Sequence, residues 1–420
     1  MRSPALFARA LLLLALAHPL LPAQAALSPV GDQFQVNETT AGDQRPLLLK
    51  VAPSGSFLVV WEDVATHQLR ARRFAADGTP AGSEFSLARS GAVGAATTTG
   101  GFRVAYAVPD PGFPDDTDIE LAELDGSGAL VGTPTPANTL TVGSQGGPHV
   151  DVAADGRFVL AWDTQIGVAG DPNGVRARPF SSGGTGGTER SVNPPSLEFQ
   201  APAAVSVAPD GSFAITYTDG DFGGDYFLAR FLADGTPVGG VMHLGDSTFF
   251  NTEVLALAGN AFVALGQNLS DGGTFVRRYG GDAGLLASQA VVDPPVTLTA
   301  PDTVGKLAMD RDGNVAVTLD SFAGPGAPDN SNVYLRLFGP DLSPLTDLSL
   351  VNTFTAGEQG ASLLAVTPRG GRLVVVWQSE GSPGTDASGT SIQARVFLAP
   401  WLMRDGFETG DLSGWAAVSP

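Results

Sequence analysis

The 420-residue chain contains no cysteine, and only 16% of its residues are charged. Without thiols there is no disulfide scaffold, no thiolate zinc site, no cysteine nucleophile and no lipid-modified N-terminal cysteine. Lysine is almost absent: Lys50 and Lys306 are the only two, and every other base is arginine. Basic residues number 23 against 43 acidic ones, a net charge of −20. A surface so acidic repels phosphate backbones and anionic headgroups, which excludes nucleic acid as a partner. No apolar run approaches the roughly 20 residues that a bilayer span takes, so no membrane span is expected.

Glycine (54), proline (31) and phenylalanine (23) are what the chain has in quantity, within 43% apolar residues. Glycine and proline together make up 85 of 420 residues, about 20%, short of the quarter or more that marks low-complexity disorder. A large core is available, and the punctuation reads as a folded, turn-rich, all-β protein.

Residues 1–25 have the features of a signal peptide. Arg2 lies in a basic start, Ala10 to Ala17 is a short apolar core broken by His18-Pro19, and Ala23-Gln24-Ala25 offers small residues for cleavage before Ala26. The chain is therefore expected to be exported, secreted or periplasmic. Taking away Arg2 and Arg9 leaves 21 basic against 43 acidic residues, a net −22.

One phrase recurs along the rest. Ser54-Gly55-Ser56-Phe57-Leu58-Val59-Val60-Trp61 is matched by Asp155-Gly156-Arg157-Phe158 to Trp162, Asp210-Gly211-Ser212-Phe213 to Tyr217, and Gly370-Gly371-Arg372-Leu373 to Trp377. With looser copies, the lead residues are Phe57, Phe102, Phe158, Phe213, Phe262, Val315 and Leu373, spaced 45, 56, 55, 49, 53 and 58 apart. Each unit has an apolar run, the phrase itself, a variable loop, and an Arg-alternating strand such as Leu69-Arg70-Ala71-Arg72-Arg73-Phe74. A turn such as Ala76-Asp77-Gly78 then leads to a short polar strand. Four antiparallel strands per unit describe a propeller blade.

The seventh unit lacks its fourth strand. Ser28-Pro29-Val30-Gly31-Asp32-Gln33-Phe34 copies the fourth-strand segment Thr79-Pro80-Ala81-Gly82-Ser83-Glu84-Phe85, and Val36-Asn37 matches Val351-Asn352. The expected fold is an all-β, seven-bladed β-propeller over residues 26–400, closed by the N-terminal strand completing the last blade. Residues 401–420 form a C-terminal extension.

The repeat Asp-Gly-Ser-Phe-x-x-x-Trp…Arg-Ala-Arg-Arg-Phe-x-x-Asp-Gly-Thr-Pro-x-Gly-x-Glu-Phe resembles that of a loosely defined group of secreted bacterial β-propellers. The resemblance implies architecture, an extracellular setting and a binding role. Units 2, 5 and 6 depart from it, with Tyr106, Gly266 and Leu319 near the place of the Trp. The segment Asp405-Gly406-Phe407-Glu408-Thr409-Gly410-Asp411-Leu412-Ser413-Gly414-Trp415 is similar to one that ends many secreted proteins of Gram-negative bacteria.

Variable loops carry function in propellers, and here the loops between second and third strands are long and acidic. Asp110, Phe113, Asp163, Phe222 and Asp329 are the candidate ligand-binding residues. Asp115, Asp116 and Asp118 in one loop, and Asp219, Asp221 and Asp225 in another, are candidates for Ca²⁺, since alternate carboxylates bring hard oxygens together. No catalytic residue is assigned: His67, His149 and His243 lie in three different units, and no nucleophile or phosphate-loop motif occurs. A monomeric, non-catalytic binder of a protein or glycan ranks first. A polysaccharide hydrolase or lyase with carboxylates at the channel mouth ranks second.

Overall fold

The computed structural model describes residues 26–95, 101–109, 116–165, 173–194, 200–220, 225–245, 249–268, 273–292, 305–321, 330–367, 371–381, 384–386 and 388–399. Residues 1–25 and 400–420 lie outside them, as do most tips of the second-to-third-strand loops. Seven separate antiparallel sheets follow one another along the chain, each ordered first to fourth strand from its inner to its outer edge. The innermost strands are Gln44–Val51, Ala92–Ala95, Ser144–Val152, Gln200–Val207, Phe249–Ala256, Gly305–Met309 and Gln359–Val366. Each touches the inner strands of the two neighbouring blades, and the seventh touches the first. The protein is a closed seven-bladed β-propeller.

Closure follows the sequence copy. Ser28 and Pro29 pair with Leu398 and Phe397, and Phe34 and Gln35 pair with Ala394 and Gln393, so the N-terminal segment is the outer edge of the last blade. The lead residues of blades 1 to 6 pair with the last residue of the third strand, and Leu373 of blade 7 pairs with Phe397, one before the last. Where both are aromatic the rings stack, as in Phe57–Phe74, Phe158–Phe180, Phe213–Phe231 and Phe262–Tyr279. Apolar side chains from facing blades then form seven separate core clusters, one at each junction between blades. Because the second strands are covered on both faces, their near-continuous apolar composition is what this position requires.

Arginine ties the blades together at both ends. On the short-turn face, guanidinium groups reach turn carbonyls of the next blade. Arg73 donates to Gly126 O, Arg103 to Ser182 O, Arg157 to Asp210 O, Arg230 to Asn260 O, Arg278 to Pro340 O, and Arg372 to Ala76 O. Third-strand arginines reach the other way. Arg72, Arg178, Arg336 and Arg395 donate to the carbonyls of Val36, Ala137, Val291 and Val351 in the preceding blade. A planar group with five donors can hold two carbonyls at once, which an ammonium on a flexible stem does less well. The near-exclusion of lysine has this structural reason.

The outer strands are joined by a second repeated device. Asn37, Asn138, Asn193 and Asn352 accept the backbone N–H of Ile392, Ile119, Val175 and Val333 through Oδ1. Each follows a buried Val or Ala and caps a strand edge that would otherwise bury an unpaired donor.

Acidity is not confined to the long loops. On the opposite face Asp77, Asp125, Asp155, Asp210, Asp234, Asp282, Asp310 and Asp341 each accept the N–H two residues on within a tight turn. These carboxylates belong to turn formation.

Candidate functional site

Inner strands begin, and second strands end, on the face that carries the long loops. There a cleft of about 600 Å³ opens over blades 1 to 3, lined by Arg45, Leu47, Glu62, Leu69, Gly91, Val93, Pro148, His149 and Val150. Arg45 and Glu62 are register partners in blade 1, and Arg45 Nη2 lies 2.5 Å from Glu62 Oε2. His67 Nδ1 lies 2.7 Å from the other oxygen, Glu62 Oε1. Burial alone would raise the Glu62 pKa, but the bonds from His67 and Arg45 outweigh it and hold the carboxyl below its usual range. Glu62 is thus an anion at neutral pH, and unsuited to act as a general acid.

His67 adopts φ = 55°, a left-handed conformation that side chains rarely take. Its carbonyl accepts the hydroxyl of Ser90 from the next blade. Gly91 in turn has φ = 140°, and its α-carbon lies so close to the Ala105 carbonyl that a Cβ has no room. The His67 turn thus meets blade 2 at the cleft wall, while Gly91 lets the inner strand of blade 2 start hard against its own second strand.

His149 enters from blade 3. A register shift between Gly146 and His149 interrupts the inner strand, and shifts at the corresponding place occur in blades 1, 4, 5 and 7. Bulges of this kind re-aim the side chain that follows. Burial lowers the His149 pKa, with a smaller push from Lys306, so the imidazole is neutral at physiological pH.

Below the cleft both lysines of the chain face the channel. Lys50 Nζ is 3.0 Å from Asp151 Oδ1, a bridge from blade 1 to blade 3, while Asp151 Oδ2 accepts Val207 N–H of blade 4. Lys306 Nζ is 2.5 Å from Glu253 Oε2 in the neighbouring blade. Asp320 stands beside this pair, and its Oδ2 accepts Ser362 N–H at 2.9 Å. Burial pushes its pKa up to about 6, against the pull of Ser362 and Lys306. These groups tie inner strands together and make the channel polar.

Of the residues singled out by sequence, Asp163 lies at the end of the second strand of blade 3, beside Gly146 and Gly147, and burial raises its pKa. Asp118 accepts from Asn138, Asp116 from Ser144, Asp219 from Gln200, and Asp225 pairs with His243. Asp219 and Asp225 are register partners at the base of one loop. Asp110, Phe113, Asp115, Asp221, Phe222 and Asp329 lie outside the described residues. Among the described residues no group of three or more His, Asp or Glu is placed to hold a metal ion.

Arg45, Glu62, His67 and His149 were not prominent in the sequence. Of the three histidines, His149 lines the cleft and His67 reaches it only through Glu62, which it holds from behind in blade 1. The one available signal was position: Arg45 and His149 on inner strands, Glu62 at the end of a second strand, and His67 in the turn that follows it.

No protein-family profile matches the chain, and no curated protein matches it in sequence. Solved structures match in fold. A polysaccharide lyase of family PL25, an ulvan lyase bound to a -[GlcA(1-4)Rha3S]- saccharide, superposes with a TM-score of 0.50 at 10% identity, covering 87% of this chain and 96% of that one. Puromycin hydrolase matches with a TM-score of 0.49 at 17% identity over 85% of this chain and 53% of the enzyme. A protein of unknown function from Dyadobacter fermentans matches with a TM-score of 0.46 at 10% identity, over 90% of this chain and all of that one. At such identities these likenesses define the fold alone.

Proposed function

We propose that this protein is an exported, non-catalytic propeller that binds a glycan in the cleft at the channel mouth of its loop face. The observation that carries the reading is the lining of that cleft. Its volume falls within the range of about 300–1,000 Å³ usual for ligand sites. The ion pair of Arg45 and Glu62 sets a guanidinium and a carboxylate beside the apolar surfaces of Leu47, Val93, Pro148 and Val150. Sugars present that combination, hydroxyls at the rim and C–H faces between them. The long loops around the cleft supply further contacts, and Ca²⁺ held by their carboxylates would be one of them.

The test is calorimetric titration of the mature protein with a panel of neutral and acidic oligosaccharides, repeated with Arg45→Ala and Glu62→Gln. Binding by the wild type, weakened at least tenfold in both folded variants, supports the reading. Binding that neither substitution alters places the ligand elsewhere.

A second reading, a polysaccharide-cleaving propeller, is favoured by His149. A neutral imidazole lines the same cleft as a guanidinium, and a lyase requires a base near a group that steadies the substrate carboxylate. The ulvan lyase likeness in fold is compatible with it. Release of reducing ends or unsaturated products from polysaccharide, lost in His149→Ala, would put this reading first.

A further inference from the structure

Blade 2 is built with less chain than its neighbours. Fourth strands hand over to the next blade at Val36, Leu87, Ala137, Val192 and Val351, each of which donates its N–H to the third strand beside it. In blades 1, 3, 4 and 7 the inner-strand residue that pairs two places after the lead comes 13 residues later, at Leu49, Val150, Val205 and Leu364. In blade 2 it comes 6 residues later, at Val93. The difference removes the capping Asn and the bulged upper half of the inner strand, and it agrees with the spacing of 45 between Phe57 and Phe102, the shortest of the six.

The cleft is the seat of that missing half-strand. Arg45 and Glu62 of blade 1 form one wall, Pro148 and His149 of blade 3 the other, and the shortened inner strand from Gly91 the floor. Above the floor, the second strand of blade 2 has lost its inner neighbour. Its pairing with the inner strand stops at Ala105, whereas its pairing with the third strand continues to Pro109. Ile119, opposite Ala107, donates its N–H to Asn138 and accepts Ala137 N–H at its carbonyl, both on the outer side. Opposed residues of an antiparallel pair exchange both backbone bonds or neither. The N–H and C=O of Ala107 therefore face the open seat, and Ala107 is exposed.

We infer that, within the glycan reading above on which this rests, the backbone of Ala107 selects the sugar: its N–H donates to one hydroxyl of an uncharged sugar unit and its C=O accepts from the adjacent hydroxyl. The edge itself disfavours a strand as occupant. Gly91 packs on the Ala105 carbonyl below, and Pro109 above has no N–H to give. One donor and one acceptor are left open, where strand addition needs a row of them. Two adjacent hydroxyls need no more than that. Charge points the same way, because the Arg45 guanidinium is already matched by the Glu62 carboxylate at 2.5 Å.

Hydrogen exchange on the mature protein, free and saturated with the tightest-binding neutral oligosaccharide of the titration panel, tests it. The Ala107 amide is expected to exchange fast in the free protein and at least tenfold more slowly in the complex. Ala107→Pro removes a donor that no ladder bond uses, and is expected to weaken binding at least tenfold in a folded variant. Ala107→Gly keeps that donor and is expected to bind as the wild type does. The O-methylated oligosaccharide, which has no hydroxyl to donate, is expected not to compete. A wild type that binds no oligosaccharide defeats the glycan reading and this inference together. A wild type that binds one while Ala107 stays unprotected, or an Ala107→Pro variant that binds equally well, defeats this inference alone. So does protection of Ala107 only by a synthetic peptide of residues 37–48, which fill the corresponding seat in blade 1, since that gives the edge to a strand.

Discussion

The backbone N–H of Ile392 donates to Asn37 Oδ1 at 2.9 Å, across 355 positions of the chain. The same carboxamide donates from Nδ2 to Gln44 Oε1 and Asp386 Oδ2, so one side chain joins the closing strand, the first blade and the last. Asn37→Ala leaves the buried Ile392 donor without a partner and is expected to cost about 1–3 kcal/mol. Urea unfolding measures it, and hydrogen exchange at Ile392 localises it. A loss under half a kilocalorie would mean that the N-terminal strand does not hold the ring.

The three buried tryptophans are not equivalent. Trp162 and Trp377 donate from Nε1 to Gln145 and Gln359, whereas Gln44, the corresponding residue in blade 1, is taken by Asn37. Trp61 Nε1 is left buried without a partner among the described residues. Replacement by Phe is expected to destabilise at Trp162 and Trp377 by about 1 kcal/mol more than at Trp61, since only there is a buried acceptor orphaned. Equal losses at all three sites would refute the assignment.

Asp320 gives a pH dependence of defined sign. Its folded pKa, about 6, lies above its ordinary 3.8, so the folded protein binds the proton more tightly than the unfolded chain. The cost of the buried charge is full above pH 6 and is relieved as pH falls toward 3.8. Asp320→Asn keeps an acceptor for Ser362 N–H and removes the charge. It is expected to raise stability at pH 8 by roughly 1–3 kcal/mol and to flatten the stability curve between these two pKa values. A variant less stable than wild type at pH 8 would show that the carboxylate is needed by Lys306.

Glu84 behaves oppositely. Burial would raise its pKa, but Thr39 Oγ1, the N–H groups of Thr39 and Glu38, and Arg70 hold it below its ordinary 4.5. Its stabilisation is present above that value and lost as pH falls through the lower folded one. Glu84→Ala is expected to cost about 2–3 kcal/mol at pH 7, and markedly less under acid conditions. Glu84→Gln is expected to cost less, because Gln33 does the corresponding task in the last blade by accepting Thr353 N–H. Denaturant melts at both pH values decide it.

The ring was legible in the sequence because its evidence is local. Phe57 and its six counterparts mark the second strands, and Ser28-Pro29 repeats Thr79-Pro80 at the far end of the chain. The site was much less so. Arg45 and Glu62 are ordinary residues on alternating strands until the register sets them side by side. His149 reaches the cleft only because a bulge re-aims it, and nothing in Gly146-Gly147-Pro148 announces one. The acidic loops drew attention by composition, yet eight aspartates of similar appearance cap turns on the other face. Charge density alone does not distinguish a solvated turn from a contact surface; the partner of each carboxylate does.

The short-turn clasps all point from one blade to the next, and Arg372 carries the sense from the seventh back to the first. Among the described residues, six of the seven junctions are gripped in this one rotational direction. Ser28 and Leu398 already lie side by side as strand partners. A chain rejoined there and opened in another outer turn would keep every clasp, making this propeller a natural subject for circular permutation.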